Sequence, residues 1–306
     1  MAESTPTPPK TTYIVDFEPP EKEKARLDSQ HYAVVENYGH LLPPAIPDHG
    51  SLTAVAEIAT GTGIWLEQLS KELPLTVILH GYDVNDRLFP DPATLPPNLT
   101  FSLFDVLLPV AETLYEKYDV VHIRGLCMVL KQDQWDGVVK NVAKMIKPGG
   151  YLVWTETDLG GAQSIPPAPT ADKVASILGY MCKLRGGDPF CTAVLPTYLK
   201  DNGFSLIPPP PSSGPNYTPA PPSPSLGHYI HIPGADYHPS TVKPFSKNFV
   251  RGLCSIISYM AQYNIPNEWF TAETAGEFVE KFIAETDGED GTRVLFDMVC
   301  VVGKKE

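Results

Sequence analysis

Basic residues are scarce in this chain. Only 23 Lys and Arg stand against 36 Asp and Glu among 306 residues, a formal net charge of −13. That balance leaves no electrostatic footprint for a phosphate backbone or an anionic lipid surface. Nucleic acid and membrane are therefore not expected as partners, and a small-molecule substrate is. Cysteine is also sparse: five thiols at positions 127, 182, 191, 254 and 300 form no CxxC or similarly close pair. Neither a disulfide framework nor a zinc site is suggested, and reduced, scattered thiols point to the cytosol or nucleus. There is no run of eighteen apolar residues and no basic N-terminal segment followed by an apolar stretch, which predicts a soluble, cytoplasmic, non-secreted protein. The sequons at Asn98 and Asn216 then read as coincidences of composition. His228, His231 and His238 lie on a Pro/Gly-punctuated segment without a helical i, i+4 pair; no metal is expected there, and a strand or lid segment is the alternative.

Proline, by contrast, is abundant, at 33 residues. Residues 1–12, rich in Pro and Thr, are expected to be disordered, because almost nothing apolar offsets the entropy of ordering them. From Pro20 to about Tyr38 two prolines and a charged first turn open a helix whose Leu27, His31, Val34 and Val35 share a face. With the residues around it, 13–50, this makes an N-terminal helical cover. Between residues 53 and 158 short apolar runs alternate with helical ones, the pattern of a parallel sheet with crossover helices. Strands are predicted at about 53–58, 77–82, 99–103, 118–123 and 151–156, with helices at 63–73 and 134–146 and a helix-terminating turn at Lys147-Pro148-Gly149-Gly150. Helices are expected again at 171–184, Leu195–Asn202, 243–263 and 273–285, with short strand Phe204–Ile207 and a closing strand Thr292–Val302. Phe245, Phe249, Ile256 and Met260 follow helical spacing and read as core, with a share in roofing an apolar substrate as the alternative. Pro208 to Pro224 holds nine prolines in seventeen residues and cannot form a regular ladder. It reads as a polyproline-type surface excursion inside a 208–240 insertion, followed by a helical elaboration at 241–290.

The sharpest local signal is Val55-Ala56-Glu57-Ile58-Ala59-Thr60-Gly61-Thr62-Gly63-Ile64-Trp65, a strand that turns through small residues into a helix. Glycines there let a ligand approach the backbone. A dinucleotide site would need a third glycine three residues after Gly63, where Leu66 stands, which argues against a bound pyrophosphate. Asp83 ends the second strand, where it can accept both hydroxyls of a ribose diol. Asp105 follows the third, where it can accept an amino N–H from a purine while the amide of Val106 meets the ring. Each aspartate alone reads equally as a strand-end turn residue; together, in order behind a glycine loop, they point to a site.

The series Glu57-x-Ala59-x-Gly61-x-Gly63, Asp83, Asp105, Tyr118-Asp119-Val120-Val121-His122-Ile123-Arg124 and Ile146-Lys147-Pro148-Gly149-Gly150-Tyr151 resembles class I S-adenosylmethionine-dependent methyltransferases. Glu23-x-x-Arg26-Leu27-Asp28-x-Gln30-His31 and the His-x-Arg pair are similar to the fungal secondary-metabolism branch of that family. The resemblance covers roughly residues 13–158. It implies a Rossmann-like seven-stranded α/β domain over 51–306 with helices on both faces and the Pro-rich insertion before its last strand. It also implies S-adenosyl-L-methionine as cofactor, held by Glu57, Thr60, Gly61, Gly63, Asp83, Asp105, Val106 and His122, and methyl transfer to an O or N atom of a small natural product. One departure is Ala59, where the family has glycine: alanine resists positive φ, so the turn adjusts or cofactor affinity falls.

Methyl transfer requires alignment and sometimes a base, with no obligatory residue type. His122 and Arg124 share one face at the end of the fourth strand; a histidine there can take a proton and an arginine can hold a carboxylate or enolate. The alternatives are that His122 bonds neighbouring backbone and that Arg124 braces Glu156 or Asp158. His31 is a third catalytic candidate, against a reading as a satisfied core histidine, and Glu156 a weaker one. A homodimer and a protein docked through the Pro-rich segment are the further partners considered. A SAM-assisted pericyclic or isomerisation step without methyl transfer, or a non-catalytic regulatory role, are the rival functions.

Overall fold

The computed structural model describes residues 18–46, 48–207, 229–232 and 239–306. The expectations for residues 1–12, for Pro208–Pro224, and for His228 and His238 lie outside the described residues. Helix α1 (Pro20–Tyr38) precedes a sheet built from β1 (Ala54–Ile58), β2 (Ile78–Asp83), β3 (Leu99–Leu103), β4 (Tyr118–Arg124) and β5 (Ile146–Thr157). These five pair in parallel in the order β3-β2-β1-β4-β5. Parallel strands covered on both faces must be apolar along their length, and β1 is buried at every position, as that geometry demands.

After β5 come β6 (Gln163–Ile165), α4 (Pro169–Leu184), α5 (Cys191–Asp201), β7 (Phe204–Leu206), β8 (Tyr229–Ile232), α6 (Pro239–Gln262), α7 (Ala275–Thr286), β9 (Arg293–Leu295) and β10 (Met298–Lys305); α2 (Ile64–Leu69) and α3 (Trp135–Met145) sit between the parallel strands. β10 runs antiparallel to β5 and carries β7 beyond it, completing a seven-stranded order of β3-β2-β1-β4-β5-β10-β7, with β8 added against β10. Among the described residues no helix is long and apolar enough to cross a membrane.

The sheet separates two cores. On one face Trp65, Leu66 and Leu69 of α2 pack with Val55, Val120, Val153 and Cys300 from the strands. On the other, Ile58, Val121, Ile123 and Trp154 meet α3, α4, α6 and α7. Leu66, in place of a third glycine, is fully buried in the first core. Phe245, Ile256 and Met260 are buried in the second, with Phe249 packed against it.

Several boundaries differ from the sequence reading. The closing apolar run is two strands rather than one: β9 pairs with β6, and β10 begins only at Met298, after Phe296 and Asp297. Helix α2 ends at Leu69, α5 starts at Cys191, and α6 starts at Pro239. The Lys147–Gly150 turn is a bulged extension of β5, with Gly149 at φ 76° and a register shift opposite β4 between Tyr118 and Val120; the extra residues absorb the change of direction that a free turn would make.

Candidate functional site

The site begins at the carboxyl edge of β1. Three residues in the next five take positive φ: Ala59 at 57°, Gly61 at 55° and Gly63 at 76°. The turn is held by backbone: Thr60 N–H donates to the carbonyl of Tyr82 at 3.0 Å, and Gly63 N–H to that of Thr60 at 2.9 Å. Ala59 has therefore kept the glycine conformation instead of adjusting the turn, and it carries the strain. Gly63 must be glycine for a second reason: a Cβ there would lie 2.5 Å from the ring of Phe101, and one on Gly81 would lie 2.3 Å from the same ring. Phe101 of β3 thus seats itself on two bare backbones and fixes the loop against β2.

Asp83, at the tip of β2, closes the cradle. Its Oδ2 accepts the Gly61 N–H at 2.9 Å and its Oδ1 the Asn85 N–H at 3.3 Å. Burial raises its pKa, while the Gly61 amide opposes the rise. A carboxylate tied to the glycine loop and still carrying unused lone pairs can accept the hydroxyls of a diol. Asp105 is half-buried and its Oδ1 accepts the Leu107 N–H at 2.9 Å, the geometry of a turn residue. Val106 is buried, and Asn141 Nδ2 donates to its carbonyl at 2.8 Å, which fixes that turn against α3.

Beneath the loop lies Glu57, 4% exposed. Its Oε2 accepts the Thr60 hydroxyl at 2.6 Å and its Oε1 the His122 Nδ1–H at 3.2 Å. The His122 ring is stacked on Trp65, centroids 4.1 Å apart and planes 12° from parallel. Burial lowers the His122 pKa, with Glu57 pulling the other way. His122 thus bonds a side-chain carboxylate rather than neighbouring backbone, and ties β4 to the loop and to α2.

Two residues along β4, Arg124 Nη2 donates to His31 Nδ1 at 3.2 Å. An arginine only donates, so His31 Nδ1 is the acceptor and Nε2 carries the hydrogen, donating to Gln68 Oε1 at 2.7 Å. His31 is wholly buried, and burial together with the Arg124 charge holds its pKa down to about 3. It is neutral with both ring nitrogens engaged. Arg124 does not brace Glu156, whose carboxylate instead accepts the amides of Leu126 and Cys127 and the Trp154 indole at 2.7, 3.0 and 2.9 Å.

Helix α1 lies across the loop. Asp28 Oδ1 accepts the Thr62 hydroxyl at 2.7 Å, and Leu27 Cδ1 lies 3.7 Å from where a Cβ of Gly61 would be. Behind it, Arg26 pairs with buried Glu23 at 2.6 Å, and Asn248 of α6 donates to the Arg26 carbonyl at 2.5 Å. Between the end of α1, residues 40–43 and strands β4, β5 and β10 is a cavity of about 20 Å³, lined among others by Tyr38, His40, Trp65, His122, Arg124 and Thr155. The structure therefore gathers Glu57, Thr60, Gly61, Gly63 and Asp83 around one loop, with His31, His122 and Arg124 beside it and Asp105 and Val106 on the neighbouring turn. Sequence reasoning missed Gln68, Phe101 and the stacking role of Trp65. Gly81 inside a strand was the available signal for Phe101, since such a glycine marks a close approach.

No family model matches the chain. Methyltransferase grgD of a Penicillium species is 34% identical over 158 residues, which is 49% of this chain and 54% of that protein. N-methyltransferase sirN of Leptosphaeria maculans is 27% identical over 159 residues, 52% and 54% of the two chains. The secondary metabolism regulator LAE1 of Hypocrea atroviridis is 28% identical over 138 residues, 45% and 38%. The chain thus spans about half the length, or less, of these curated relatives. The solved structure of the [4+2]-cyclase SpnF aligns over 99% of this chain and 98% of its own, with a TM-score of 0.51 at 14% identity, a likeness of fold. The protein has the class I S-adenosylmethionine-dependent methyltransferase fold. Over the part they share, its relatives are those of the fungal secondary-metabolism branch.

Proposed function

We propose that the protein is an S-adenosyl-L-methionine-dependent methyltransferase acting on an O or N atom of a small natural product; the names of grgD and sirN support methyl transfer, and that of LAE1 a setting in secondary metabolism. The observation that carries the reading is the bond between Asp83 and the Gly61 amide. It sets a ribose-accepting carboxylate against a glycine turn that admits a ligand to the backbone. In this reading the Gly61 and Gly63 backbones flank the cofactor, Asp83 accepts its ribose hydroxyls, and Asp105 with the Val106 amide meets its adenine. Glu57, Thr60 and His122 hold the loop from beneath. Bound there, the cofactor supplies an electrophilic methyl group. The chain's own task is to align the acceptor and keep water away, which α1 serves by lying over the loop.

Titration calorimetry with S-adenosylhomocysteine tests the reading directly. Binding in the micromolar range that Asp83→Ala weakens supports it; absence of binding at about 100 μM protein removes its foundation. A regulatory role without catalysis, suggested by the LAE1 likeness, is the outcome if the cofactor binds but no methylated product forms from extracts of the producing organism.

A further inference from the structure

The cavity beside the loop contains one cation and no anion. Arg124 lines it together with neutral groups: the phenol of Tyr38, the imidazoles of His40 and His122, the Trp65 ring and the Thr155 hydroxyl. Among the described residues no carboxylate lies within ion-pair distance of the Arg124 guanidinium, whose hydrogen bond goes to a neutral imidazole. The carboxylate whose charge bears on it, Glu57, is already engaged by Thr60 and His122. Burial lowers the arginine pKa, but a guanidinium remains protonated in proteins. A partly buried charge with no counter-charge is costly, and such costs are repaid when a ligand brings the missing anion.

Of the imidazoles around it, His31 has no nitrogen left for a proton. His31 spends both nitrogens on Gln68 and Arg124, and His122 donates its Nδ1–H to Glu57, which leaves its Nε2 lone pair as the remaining acceptor, in a ring whose pKa burial lowers. The His40 imidazole is pushed toward its neutral form by burial. A ligand that arrives already ionised meets the Arg124 guanidinium without first giving up a proton.

We propose that this cavity is a carboxylate-recognition site for the small-molecule acceptor, with Arg124 as the contact and His31 as a positioning residue that aims the guanidinium by accepting one of its N–H groups. The acceptor is then a small organic acid, its carboxylate drawn into the cavity and its reacting atom left at the edge of β4. The proposal rests on the methyltransferase reading for the identity of the acceptor, but not for the anion site itself.

The test uses the full chain. Benzoate, benzyl alcohol and benzylamine are titrated into protein with and without saturating S-adenosylhomocysteine near pH 7.5. A charge-assisted, bidentate contact predicts that benzoate binds about tenfold or more tightly than either neutral or cationic analogue. Arg124→Gln abolishes that preference and leaves S-adenosylhomocysteine affinity within about threefold, while Arg124→Lys, which keeps the charge without the fork, retains part of it. His31→Asn, whose Oδ1 can still accept from Arg124, preserves the preference; His31→Leu reduces it at unchanged helix content. Equal binding of the three probes overturns the proposal. So does an Arg124→Gln variant that loses S-adenosylhomocysteine more than benzoate, since the carboxylate in the cavity would then be the cofactor's own. Benzoate preference in a protein that fails to bind S-adenosylhomocysteine sinks the methyltransferase reading and leaves the carboxylate site standing.

Discussion

Replacing Ala59 by glycine isolates the energy stored in the turn that follows β1. The alanine sits at φ 57°, where its Cβ crowds the following carbonyl at a cost of about 1–2 kcal/mol relative to glycine. Against this, glycine enlarges the conformational freedom of the unfolded chain, worth about 0.4–1 kcal/mol in the opposite direction. The difference leaves Ala59→Gly more stable by roughly 0.5–1 kcal/mol, or about 1–3 °C in Tm for a chain of this size. The side chain is half-buried and small, so its loss removes little packing.

The sequence left two outcomes open for Ala59, an adjusted turn or a weakened cofactor site, and the geometry excludes the first. Gly61 and Gly63 keep their positive φ and the Gly63–Thr60 backbone bond is intact. The strain is present before any ligand arrives, so it cancels between free and bound protein. Ala59→Gly should therefore raise the urea midpoint at unchanged m-value while the dissociation constant for S-adenosylhomocysteine stays within about twofold. A variant that is less stable than the parent, or that binds the ligand more than about tenfold tighter, would refute the reasoning, because either result means that the free loop rests in another conformation.

Asp83→Ala removes both the Gly61 acceptor and the proposed ribose contact, and calorimetry should show S-adenosylhomocysteine binding weakened about 10- to 100-fold. Gly81→Ala drives a Cβ to 2.3 Å from the Phe101 ring, which is hemmed on its other contact by Gly63; chemical denaturation should report a loss of about 1–3 kcal/mol. His31 is held neutral with a pKa of about 3 against 6.5 when exposed, so the unfolded chain takes up its proton first as pH falls. Stability should decline from about pH 6.5 toward pH 3, by about 5 kcal/mol at most from this residue, and His31→Asn should flatten that slope in acid-dependent thermal melts.

How far the sequence reached depended on whether a feature is carried by the backbone or by partners distant in the chain. β1 and β4 were legible because a strand covered on both faces is rich in apolar residues, here Ala54, Val55, Ala56 and Ile58 in one and Val120, Val121 and Ile123 in the other, and α1 was legible from its prolines and its i, i+4 face. The split between β9 and β10 was not, because Thr292–Val302 is apolar whichever strand pairs with it, and the pairing is decided by three residues of β6 more than a hundred positions upstream. The same division runs through the site. Gly61, Gly63 and Asp83 announce themselves by residue type and spacing, since a turn at positive φ and a carboxylate at a strand tip are local facts. In the sequence His122 reads as a base, Arg124 as a holder of an anion and His31 as a third candidate, and only contacts across 37, 65 and 93 residues fix what each does. Glu57 takes one nitrogen of His122; Gln68 and Arg124 take both nitrogens of His31. What is left facing the cavity is the guanidinium, with the His122 ring beside it. Of the three candidates, His31 is thus a neutral support, His122 is fixed through its Nδ1–H by Glu57, and Arg124 is a cation with no carboxylate at ion-pair distance among the described residues.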